Sequence, residues 1–97
     1  MKSDSWFIEV FDGGKVGGLS FQVDEVLFQG RSPYQHIEVV QNSFLGKVML
    51  LDGLVMLTEK DEFYYHDMLV HVPMACVEDP ENVLVVGGGD GGSVREM

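Results

Sequence analysis

Residues 82–97 read NVLVVGGGDGGSVREM. Val83 to Val86 form an unbroken apolar run, as expected of a strand covered on both faces of a parallel sheet. Gly87, Gly89 and Gly92 satisfy G-x-G-x-x-G, and the order strand, glycine loop, helix is the context in which that spacing holds a dinucleotide. Asp90 opposes this reading. Helix N-termini attract phosphate, whereas a carboxylate at the loop tip repels it at contact distance. A ligand carrying positive charge removes the conflict. Sulfonium cofactors of the S-adenosylmethionine type, or amines, meet that requirement, with Gly87, Gly88, Gly89, Gly91 and Gly92 leaving room for an adenosine. The rival reading is that Asp90 caps a helix starting near Ser93, although Ser93 can cap as well.

Outward from this loop, a parallel strand needs a partner reached through a crossover unit of roughly 30 residues or more. Only the strand, the loop and the first turn or so of the helix are present, so the expectation is the front piece of a larger α/β domain. Upstream, TEKD at residues 58–61 matches a capping box, which predicts a helix from Thr58. Phe63, Val70, Met74 and Val77 recur at helical spacing and are expected to share one buried stripe. Pro73 interrupts it, predicting either a kink near Leu69 or a helix that ends and restarts. EDPEN at residues 78–82 is a polar connection.

Residues 6–57 alternate short apolar runs with turn residues. Asp52-Gly53 between KVMLL and LVML is a strong hairpin signal. The glycines around Lys15 suit a wide turn or bulge. The expected fold is therefore α+β, with an antiparallel β meander over residues 1–57. Residues 58–97 are expected to begin an α/β domain built on a parallel sheet.

Composition narrows the partners. The chain is 45% hydrophobic and 23% charged, which suits a folded domain. Its net charge of −10, with six Lys and Arg in total, argues against nucleic acid and fits a cationic ligand or surface. No apolar stretch approaches the roughly 20 residues that span a bilayer. MKSDSWFIEV lacks the apolar core of a signal peptide. The lone Cys76 sits in an apolar run and is expected to be a buried, reduced thiol, making a cytoplasmic setting the default. No H-E-x-x-H or Cys/His ligand spacing supports a metal at His36, His66 or His71.

Tyr34-Gln35, LDG at residues 51–53, TEKDEFYYHDMLVHVP at residues 58–73 and VLVVGGGDGGSVRE at residues 83–96 occur in the order of one enzyme family. In these motifs the chain resembles the bacterial spermidine synthases, from about Trp6 to its last residue. The resemblance implies an N-terminal β domain used for homo-oligomerisation, as a dimer or tetramer, ahead of a catalytic domain, begun by residues 58–97, with the doubly wound, Rossmann-like sheet of S-adenosylmethionine methyltransferases. It also implies transfer of an aminopropyl group from decarboxylated S-adenosylmethionine to putrescine, giving spermidine and methylthioadenosine. Decarboxylated S-adenosylmethionine is then a co-substrate, and no cofactor is bound permanently.

That chemistry asks for alignment, since the sulfonium is already a good leaving group, and alignment supplies roughly 7 to 11 kcal/mol. Alkyl amines titrate near pH ~10, so carboxylates must hold the far ammonium while a base deprotonates the near one. The resemblance gives Gln35 a contact with the adenosylated ligand, Tyr65 and His66 places beside the amine, and Asp90 the aminopropyl amine. Each has an ordinary rival: Gln35 on a strand edge, Tyr65 as a half-buried aromatic, His66 paired with Glu62 one turn earlier. The family's proton-accepting aspartate and its ribose-binding acid lie downstream of the loop, beyond Met97, so no catalytic base is assigned within this chain. Met56 stands where many relatives have glutamine, which leaves the acceptor amine open. Two further readings are a non-catalytic oligomerisation module and a methyltransferase-like protein using S-adenosylmethionine.

Overall fold

The structure, a computed structural model, describes residues 5–97. Met1 to Asp4, part of the N-terminal stretch read above for a leader, lie outside the described residues. The chain divides into two compact units between Lys60 and Asp61.

In the first unit every strand pairing is antiparallel, as expected, but the strands form two sheets. β1 (Trp6–Phe11) pairs with β2 (Gly17–Gln22), joined by a 3-10 turn at Asp12–Gly14. β3 (Glu25–Arg31), β4 (His36–Asn42), β5 (Gly46–Leu51) and β6 (Leu54–Thr58) form a four-stranded meander in chain order. Val40 faces Val48 across β4 and β5, and both are fully buried with Leu50; Phe21 and Val23 complete the core. The hairpin is tied to the larger sheet by the Phe7 and Phe21 side chains, whose rings lie 5.1 Å apart and pack against that core. The Val55 amide also donates to Glu9 Oε2 at 3.0 Å.

Asp52 and Gly53 both take positive φ, 51° and 76°, the combination a two-residue primed turn requires. Asp52 is further held by its Oδ1, which accepts the His36 amide at 2.9 Å. Met56 is the extra residue of a bulge between the Leu50/Val55 and Met49/Leu57 pairs. It is exposed.

The helix expected from Thr58 starts later. Thr58 is buried and ends β6 opposite Val48. The pairing then runs on, with the Glu59 amide donating to Lys47 O and the Lys60 amide to Leu45 O. Glu59 is drawn into the same sheet, accepting the Lys47 amide at 2.7 Å. Ladder hydrogen bonds of the sheet have won over the local capping signal.

In the second unit, α1 (Glu62–Ala75) runs unbroken through Pro73, so the expected restart does not occur. Pro73 lies in the last turn, two residues from the helix end. The expected apolar stripe is also wrong in its particulars. Only Val70 is buried and Met74 half-buried, while Phe63 and Val77 are exposed. The buried edge of α1 is instead His66 and Val70, one turn apart. Cys76 is exposed, not buried, and its thiol donates to Val72 O at 3.3 Å. Val83–Val86 forms no strand, because no ladder partner exists for it among the described residues. α2 (Gly92–Glu96) closes the unit after the glycine loop. No helix among the described residues is long and apolar enough to cross a membrane.

Candidate functional site

Glu62 and His66 are four residues apart on α1 and therefore meet on one face of the helix. His66 is 2% exposed, and its Nδ1 is hydrogen-bonded to Glu62 Oε2. On the other side of the ring, Nε2 lies 3.0 Å from Asp90 Oδ2. The ordinary rival for His66, its pairing with Glu62, is thus real, and the loop aspartate joins the same imidazole.

The glycine loop brings Asp90 there. Gly87, Gly88 and Gly91 take positive φ, and Gly91 is the N-cap residue of α2, with no side-chain cap bond. The rival reading of Asp90 as a helix cap is therefore overturned: its carboxylate points to His66 instead. The contact runs through Oδ2 of that carboxylate.

α2 closes the arrangement from behind. Arg95 forms a two-pronged pair with Glu62, Nη1 to Oε1 at 2.9 Å and Nη2 to Oε2 at 3.0 Å. The same guanidinium reaches Glu96 Oε1 at 3.0 to 3.1 Å. Hydrogen bonds from Arg95, and then from His66, hold the Glu62 carboxyl down at about 2, against 4.5 ordinarily. Arg95 is pushed up in turn, chiefly by Glu62 and then Glu96. Glu96 is lowered first by its hydrogen bond from His71, whose Nε2 lies 3.0 Å away, against the opposing effect of burial.

Asp67 and His71 of α1 and Glu96 bring three potential ligand atoms within 4.8 Å. Arg95, already bound to Glu96, adds a positive charge that opposes a cation there. Tyr65 is exposed and stands edge-on to the His66 ring, with centroids 5.1 Å apart. Gln35 belongs to the first unit. It closes the turn before β4: its amide donates to Ser32 Oγ at 3.0 Å and its carbonyl accepts the Ser32 amide at 2.9 Å.

Of the four expected ligand residues, the structure joins Asp90, His66 and Tyr65 in one unit. Arg95 and Glu96 were missed as partners because the Arg95–Glu62 pair joins residues 33 apart in sequence. The i, i+4 spacing of Glu62 and His66 was the one readable signal.

A family model for the spermidine synthase tetramerisation domain matches residues 5–59, and one for the spermine/spermidine synthase domain matches residues 62–97. The chain belongs to the spermidine synthase family. A polyamine aminopropyltransferase of Alkaliphilus metalliredigens is 58% identical over 81% of this chain and 28% of its own length. That of Thermotoga maritima is 48% identical over 95% of the chain and 31% of its own length. The chain thus spans about a third of the relatives it matches. A crystal structure of spermidine synthase in complex with the transition-state analogue AdoDATO is 46% identical, with a TM-score of 0.91 over 98% of this chain and 32% of that one.

Proposed function

We propose that this chain opens an aminopropyltransferase that moves an aminopropyl group from decarboxylated S-adenosylmethionine to putrescine, giving spermidine and methylthioadenosine. The observation that carries the reading is Asp90. A glycine loop of nucleotide-binding spacing presents a carboxylate whose Oδ2 lies 3.0 Å from Nε2 of the buried His66 ring, and such a carboxylate pairs with an ammonium. Such a loop repels pyrophosphate and suits the cationic donor and amine.

In this reading Asp90 holds the aminopropyl amine and His66 fixes the carboxylate's direction. Tyr65 lies beside the polyamine, covering one edge of the imidazole. Gln35 is proposed as a contact of the adenosylated donor, a role that rests on the resemblance. The residue that takes the proton from the attacking amine is proposed to lie beyond Met97, in the remainder of a Rossmann-like catalytic domain. The proposed compartment is the cytoplasm, where Cys76 stays reduced.

The first unit is proposed to assemble the enzyme into a homo-oligomer. Trp6, Ile8 and Val10 support this, for they line one face of β1 and are each more than half exposed. The full-length protein, given putrescine and decarboxylated S-adenosylmethionine, is expected to release methylthioadenosine; no release with any diamine sinks the proposal.

A further inference from the structure

We infer that Glu62 and Arg95 are positioning residues for the amine site: acting through His66, they fix the direction in which Asp90 presents its carboxylate. The inference rests on the reading of Asp90 as the ammonium-binding group. Neither residue contacts Asp90 directly; the path is geometric. Arg95 grips both oxygens of Glu62, and the same Glu62 Oε2 that takes Arg95 Nη2 also takes His66 Nδ1. Carboxylate oxygens only accept, so the Glu62 contact requires a hydrogen on Nδ1, and Nε2, 3.0 Å from Asp90 Oδ2, must carry one as well to hold that carboxylate; the ring links the two only with both nitrogens as donors.

Two further features make this more than ordinary surface pairing. His66 is 2% exposed, so a ring released from Glu62 has no water shell to hold it in place. The glycine helix start also packs on the ring, since a Cβ at Gly92 would stand 2.2 Å from His66 Cε1. The low Glu62 value is consistent with an ionised acceptor throughout the neutral range. Arg95 and Asp90 belong to one short segment, so α1 holds both ends of the turn that carries the amine-binding oxygen.

The test compares full-length wild type with Glu62→Gln, Arg95→Met and Arg95→Lys. Both Glu62→Gln and Arg95→Met are expected to raise KM for decarboxylated S-adenosylmethionine, whose aminopropyl amine Asp90 holds, by about tenfold or more, the cost of a charged hydrogen bond. KM for the acceptor amine is expected to change less. Arg95→Lys, which keeps the charge but loses the fork, is expected to lie between wild type and Arg95→Met. A merely structural role would lower kcat by reducing the folded fraction and leave both KM values in place, and that outcome overturns the inference. Nitrogen-15 NMR of the histidine rings gives a readout that does not need turnover. The His66 Nδ1–H resonance is expected in wild type and lost or broadened in Glu62→Gln and Arg95→Met. An unchanged resonance in both variants overturns the inference even if the enzyme transfers no aminopropyl group. Failure of wild-type turnover with the expected NMR change counts against the proposed reaction alone.

Discussion

Gly92 and His66 occupy space that admits no other pairing of backbone and ring: a Cβ built on Gly92 would lie 2.2 Å from Cε1 and 2.3 Å from Nε2 of the imidazole. The ring cannot yield, because it is held by Glu62 on one side and meets Asp90 on the other. Gly92→Ala is therefore expected to cost about 1–3 kcal/mol of stability, the usual range for overpacking. It should also weaken amine binding, since relief requires the ring to move. Denaturant unfolding together with KM for decarboxylated S-adenosylmethionine checks both effects.

The Glu62–Arg95 pair predicts an acid dependence. Glu62 titrates at about 2 in the fold against 4.5 ordinarily, so its contribution to stability is fully present above pH 4.5 and is lost as pH falls toward 2. Glu62→Gln should be less stable than wild type at neutral pH, with the two converging between pH 4.5 and 2. The Arg95 side chain is 52% exposed, so the gap should also narrow in high salt. Thermal unfolding across that pH range, with and without salt, measures it.

Asp90→Asn keeps the shape of the loop and removes its charge. The kcat/KM for decarboxylated S-adenosylmethionine is expected to fall by about ten- to a hundredfold, on the scale of a hydrogen bond to a charged group, with a small change in Tm. Equal losses of activity and folding would indicate that Asp90 serves the architecture alone. Steady-state kinetics and calorimetry on the same preparation separate the two.

Ile8 is 66% exposed on β1, so Ile8→Lys leaves the core of the first unit untouched. If this face joins copies of the protein, the charge should dissociate the assembly by sedimentation while the melting curve of the separated subunit stays cooperative. An unchanged oligomer would place the interface elsewhere.

Elements whose signals are local were legible from the residues. Asp52-Gly53 carries its turn preference in the two residues themselves, and the glycine loop carries its own in residues 87–92. Misread features were those decided at a distance. TEKD has every local mark of a helix start, yet Thr58 is claimed by Val48 across the sheet. The apolar run Val83–Val86 specifies burial, and pairing depends on a neighbour that the described residues do not supply. The stripe Phe63, Val70, Met74, Val77 had the correct period but not the buried face, because α1 buries a histidine whose partners include a loop residue 24 positions on. Asp90 was legible as a conflict of charge with the expected ligand; its imidazole anchor was not.

Asp90 and Arg95 are both moored to α1, through His66 and Glu62. The turn between them is therefore fastened at both ends to one helix, so a change in α1 at Glu62 or His66 reaches the whole glycine turn.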